Sequence, residues 1–70
     1  MKKKEFAENL KALRAEKHIS QLALAKRLGV TQQCVSEWER GNTEPTMTYL
    51  CMMADIFGIT LDALCGKVKF

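Results

Sequence analysis

Apolar residues along the chain recur at spacings of three and four, the period of helices that bury one face. Phe6, Leu10 and Leu13 mark a first helix from about Lys3 to Lys17, with Lys and Glu on its other side. Leu24, Ala25 and Leu28 mark a second, Gln21 to Leu28, which Ser20 caps. Thr31 caps a third, Gln32 to Arg40, and the connection Gly29-Val30-Thr31 is so short that the two helices must cross steeply. Thr46 caps a fourth that reaches Phe57, with Met47, Leu50, Met53, Ala54 and Phe57 as its core set. Thr60 caps a short fifth, Leu61 to Cys65, that buries Leu61 and Leu64. Gly29, Gly41, Gly58 and Gly66 each close such a segment, as expected where a helix ends in a left-handed residue. Nowhere do β-branched and polar residues alternate over four positions, so the expected fold is all-α, a compact five-helix domain.

The length of 70 residues allows one domain, expected over residues 1–66 with a tail at 67–70. A core this small leaves little room for a deep substrate pocket, which argues against an enzyme. No apolar stretch approaches the ~18 to 20 residues of a membrane span, and Lys2-Lys3-Lys4 is followed by acidic residues instead of an apolar signal core. A cytoplasmic protein without a membrane partner is expected. Cys34, Cys51 and Cys65 are odd in number and widely spaced, so they spell neither a disulfide framework nor a metal site. The single histidine, His18, lacks partners for catalysis or metal binding and suits the terminating position of the first helix. No cofactor, metal or small-molecule ligand is expected, and no catalytic residue stands out.

Net charge is +3 but uneven: residues 1–29 hold eight basic and three acidic side chains, and residues 30–70 hold three and five. The first half therefore offers the cationic face. Helical geometry sets Val35, Trp38 and Glu39 of the third helix on one side and Gln32, Gln33, Ser36, Glu37 and Arg40 on the other. Glutamine pairs bidentately with adenine in the major groove of duplex DNA, and two adjacent glutamines stand at the N-terminal end of this helix, the end that a helix in the major groove brings to base edges. Gln32, Gln33, Ser36 and Glu37 are thus candidate base contacts. Glu37 reads a base only by accepting from a cytosine amine, and otherwise excludes wrong sites by its charge or simply faces solvent. Gln21, Thr31, Ser36 and Arg40 are candidate phosphate contacts, with Lys26 or Arg27 less securely.

Between Gln21 and Arg40 the positions Leu24, Ala25, Leu28, Gly29, Val30, Val35 and Trp38 are coordinated as two tightly packed helices require. With Trp38-Glu39-Arg40-Gly41 and Pro45-Thr46, this stretch resembles the helix-turn-helix of the lambdoid phage repressor and Cro family, the XRE type, from about Phe6 to Leu64. The resemblance implies a lambda-repressor-like domain that binds double-stranded DNA sequence-specifically, usually as a homodimer, and most often represses transcription at a pseudo-palindromic operator. It also implies a structural ion pair between Arg14 and Glu39. One departure is the loop Asn42-Thr43-Glu44, which lacks the basic residue many relatives carry there. Phosphate affinity is then lower, or shifted to Lys2, Lys3 and Lys4, which otherwise serve as a soluble, frayed terminus. A second apolar line, Tyr49, Met52, Ile56 and Leu61 with Val68 and Phe70, is either a dimer surface or ordinary partial burial. The rival function on the same fold is a protein-interaction module such as an antitoxin.

Overall fold

A computed structural model describes residues 2–66, and they form five helices with no strand among them. These are α1 (Lys3–Lys17), α2 (Gln21–Leu28), α3 (Gln32–Glu39), α4 (Met47–Phe57) and α5 (Leu61–Cys65). The tail at 67–70, with Val68 and Phe70, lies outside the described residues.

Local chemistry sets the boundaries. The Ser20, Thr31 and Thr60 hydroxyl oxygens accept the backbone N–H of the third residue onward, at 3.0, 3.1 and 3.1 Å. Each removes one of the unpaired donors that every helix start leaves. Thr46 departs from this expectation: its backbone is extended as a cap requires, but its exposed side chain makes no cap bond. A hydroxyl in water exchanges that bond at little cost, and the buried Pro45 ahead of it already restricts how the chain enters α4. His18 ends α1 in the left-handed region at φ 56°, the one non-glycine positive φ among the described residues. The third helix stops one residue short of the expected end. Arg40 is its C-cap, and Gly41 turns left-handed at φ 74°. That turn lets Gly41 N–H reach Trp38 O at 3.1 Å and Asn42 N–H reach Glu37 O at 3.1 Å.

The buried stripes meet in one core that includes Phe6, Leu10 and Leu13 of α1, Leu24 of α2, Val35 and Trp38 of α3, Met53 and Phe57 of α4, and Leu64 of α5. In this packing α3 lies against both α1 and α2, while α5 joins α1 to α4. Two expected core positions are elsewhere. Met47, at the first residue of α4, is 63% exposed because the helix begins one turn beyond the core that Leu50 enters. Leu61 is half-buried, and Ala63 takes the buried place beside Leu64. No helix among the described residues is long and apolar enough to cross a membrane.

Candidate nucleic-acid interface

The turn between α2 and α3 is built from main-chain bonds. Gly29 sits at φ 75°, a conformation that costs an L side chain energy, and Val30 N–H closes back on Ala25 O at 3.0 Å. Val30 is half-buried against the core. This fixes where α3 starts. Its orientation about its own axis is fixed by Val35 and Trp38, which are buried, and by Glu39, which is 4% exposed.

Glu39 is charged and buried, so it must be paired. Arg14 donates through Nε to Oε2 and through NH2 to Oε1 at 2.8 Å, a two-pronged contact. Gln21 Nε2 donates to the same Oε1 at 3.0 Å, and Arg14 NH1 donates to the Ile19 carbonyl at 3.0 Å. One carboxylate therefore ties α1, α2 and α3 together. The Glu39 hydrogen bonds raise the Arg14 pKa above its ordinary value, against an opposing effect of burial. Among the described residues no buried side-chain polar atom lacks a partner.

With that side fixed, α3 presents Gln32 and Gln33, both exposed, and Ser36 and Glu37, both half-buried. Gln32 Nε2 lies 3.5 Å from Gln21 Oε1, so the first residues of α2 and α3 stand side by side. The half-buried Gln21 is thus a bridge, with one end on Glu39 and the other on Gln32. Thr31 spends its oxygen lone pair on the cap and keeps its O–H to donate. Arg40 is exposed, with NH2 at 3.0 Å from Glu37 Oε1 and NH1 donating to Ser36 Oγ at 2.8 Å. Gln33 Nε2 donates to Glu37 Oε1 at 3.1 Å, and Asn42 Nδ2 donates to Oε2 at 2.6 Å. The Asn42 bond, then the Arg40 bond, pull the Glu37 carboxyl below the ordinary glutamate range.

Lys26 is exposed in the last turn of α2, about 7.5 Å along the axis from Gln21, and is not part of this cluster. Asn42 was not singled out in the sequence, where its loop stood out only for lacking a basic residue. The signal was the left-handed Gly41, which folds the next residue back over the last turn of α3. The same glycine brings in the start of α1: a Cβ there would stand 3.8 Å from Lys4 Cα and 3.9 Å from the Lys3 carbonyl oxygen. The exposed Lys2, Lys3 and Lys4 therefore begin beside the loop that has no base of its own. Tyr49, Met52, Ile56 and Leu61 are half-buried against the core, and Tyr49 meets Trp38 with ring centroids 5.8 Å apart. Among the described residues the large apolar side chains that stand well out are Leu22, 48% exposed, and Met47. No group of three His, Cys, Asp or Glu among the described residues could hold a metal.

Compared with known proteins, residues 10–64 match the helix-turn-helix family model. The HTH-type transcriptional activator BcrR of Enterococcus faecalis is 38% identical over 60 residues, 86% of this chain and 29% of that protein. A transcriptional regulator from Listeria innocua has the same fold at TM-score 0.85 and 32% identity, over 93% of this chain and 61% of its own. Hydroxypropylphosphonic acid epoxidase from S. wedmorenis carries a like domain, at TM-score 0.80 and 39% identity over 87% of this chain and 32% of its own. The chain thus spans between 29% and 61% of the length of these relatives. The Enterococcus and Listeria relatives are transcriptional regulators by name, and the epoxidase matches over a minor part of its length.

Proposed function

The chain belongs to the helix-turn-helix family of DNA-binding transcriptional regulators, XRE type, and from that premise we propose that it binds a pseudo-palindromic operator as a homodimer and represses transcription by occupancy, with activation by touching polymerase as the alternative that the activator relative favours. One observation carries the reading: α3 is locked on its buried side by Val35, Trp38 and Glu39, and holds Gln32 and Gln33 exposed at its N-terminal end. A helix held this rigidly keeps its amides in the register that bidentate pairing with adenine demands. Gln32, Gln33, Ser36 and Glu37 face base edges in this account.

Phosphates are met by Gln21, by the Thr31 O–H, by Arg40 and by Lys26. Lys2 to Lys4 add to them from beside Gly41, which supports an arm in preference to a merely soluble terminus. Each copy carries one α3, so a two-fold site with half-sites ~34 to 36 Å apart, one helical turn, takes two copies. Their contact is proposed at the half-covered line of Tyr49, Met52, Ile56 and Leu61. Such a protein acts in the cytoplasm, on the nucleoid. The second reading, an interaction module such as an antitoxin, draws on the exposed Leu22 and Met47.

Selection of binding sites from a random duplex pool at one fixed, near-physiological salt concentration tests the proposal. Enrichment of a symmetric site with half-sites about one turn apart is the expected result. A folded protein that enriches no sequence would overturn it in favour of the interaction module.

A further inference from the structure

The C-cap of α3 is an arginine whose charge is engaged by its own neighbours. Both terminal nitrogens of Arg40 are folded back along the reading face, NH2 at 3.0 Å from Glu37 Oε1 and NH1 on Ser36 Oγ at 2.8 Å. Glu37 is held from the other directions by Gln33 at 3.1 Å and Asn42 at 2.6 Å. Three of the roughly four acceptor sites of this carboxylate are therefore filled. The Gly41 turn secures the arrangement, because the Asn42 backbone N–H is itself bonded to the Glu37 carbonyl at 3.1 Å. The following loop adds only the negative charge of Glu44.

Resting on the DNA-binding reading and deepening it, we infer that Glu37 is a specificity-determining residue that acts through Arg40, withholding the guanidinium from phosphate until a base edge gives the carboxylate another donor. Phosphate and Glu37 compete for the same guanidinium. A phosphate can accept from Arg40 but has nothing to donate to Glu37, so taking the arginine leaves an anion facing the DNA without its counter-ion. On most sequences the internal pair competes with phosphate for the guanidinium, and the Arg40 contact is weakened. Where a cytosine stands opposite, its N4 amine donates to Glu37 and frees Arg40 for the backbone. The phosphate contact thereby becomes conditional on the base.

The test is binding to a random-sequence duplex pool across a salt series, for the wild type, Glu37→Gln, Arg40→Gln and the double variant. Thermal melting of each checks that it is folded, and Arg40→Met serves if Arg40→Gln is not. Glu37→Gln should bind random duplex roughly tenfold tighter at low salt, with a slope of log affinity against log salt steeper by about 0.9, the signature of one more phosphate contact. In the Arg40-substituted background most of that gain should vanish. An equal gain in both backgrounds would mean simple repulsion between Glu37 and phosphates and would overturn the inference, as would no gain at all. A wild type that binds no duplex even at low salt would overturn the DNA-binding reading itself, and the inference with it.

Discussion

Glu37 and Glu39 are two residues apart on one short helix, and each is paired with an arginine, yet they do different work. The partners of Glu39 are distant in sequence, Arg14 from α1 and Gln21 from α2, and its carboxylate is buried among them. The partners of Glu37 are Gln33, Arg40 and Asn42, all from its own helix or the turn after it, on the outer face. A charge buried between elements has lost its water and depends on every partner, so it belongs to the fold. A charge at the surface with local partners can exchange them, which leaves it available for the recognition proposed above. Identical side chains acquire these roles from about half a helical turn of rotation.

The comparison breaks most easily at Glu39. Glu39→Ala should cost about 3 kcal/mol of stability, read as a fall in the urea midpoint, because Arg14 is left without its counter-charge. Replacing both members, Arg14→Met with Glu39→Leu, should recover much of that loss. A large loss on Glu39→Ala that the double replacement does not recover would mean that the pair is more than a fastening of three helices.

Gln21→Ala should cost less, about 1 to 2 kcal/mol, by removing one hydrogen bond to a buried carboxylate. It should also weaken duplex binding, since Gln21 steadies Gln32 at the start of the reading helix. A variant that loses stability but keeps full affinity would confine Gln21 to the fold.

Acid sharpens the contrast. The bond from Asn42 is the largest cause of the lowered Glu37 pKa, and a carboxyl depressed on folding stabilises the folded state above the ordinary glutamate range and loses that contribution as the pH falls through its lowered value. In a carboxyl-carbon NMR titration, Asn42→Ala should move the Glu37 midpoint up towards the ordinary range. An unmoved midpoint would show that Asn42 does not hold the carboxylate. The raised Arg14 pKa has the opposite sense: its contribution is present below the ordinary arginine range and is lost only in strong alkali, so it adds no pH dependence near neutrality.

The smallest effect is expected at the terminus. Replacing Lys3 and Lys4 by Gln should leave melting unchanged and flatten the salt slope of duplex binding by about 0.9 for each lost phosphate contact. An unaltered slope would return these lysines to the role of a soluble end.

The helices were legible because their ends are written in local chemistry: Ser20, Thr31 and Thr60 as caps, and glycine or His18 where the chain turns left-handed. The exposed face of α3 was legible for the same reason, since it follows from helical period alone. Arg14 with Glu39 was different: nothing in a spacing of 25 residues joins them, and the family resemblance supplied the pair. Asn42 went unnoticed because its place depends on the Gly41 turn, a three-dimensional fact. Gln21 as a bridge was hidden likewise, because it needs two helix starts side by side. Met47 misled because periodicity marks a face and does not say where the core ends.

The central claim is that α3 reads bases with its outer face while its inner face only holds it in place. Site selection repeated with Gln33→Ala, beside the wild type and at the same salt, tests it most directly. The account predicts an unchanged melting temperature and the loss of base preference at one position of each half-site, with the rest of the site kept. An unchanged preference at every position would contradict it.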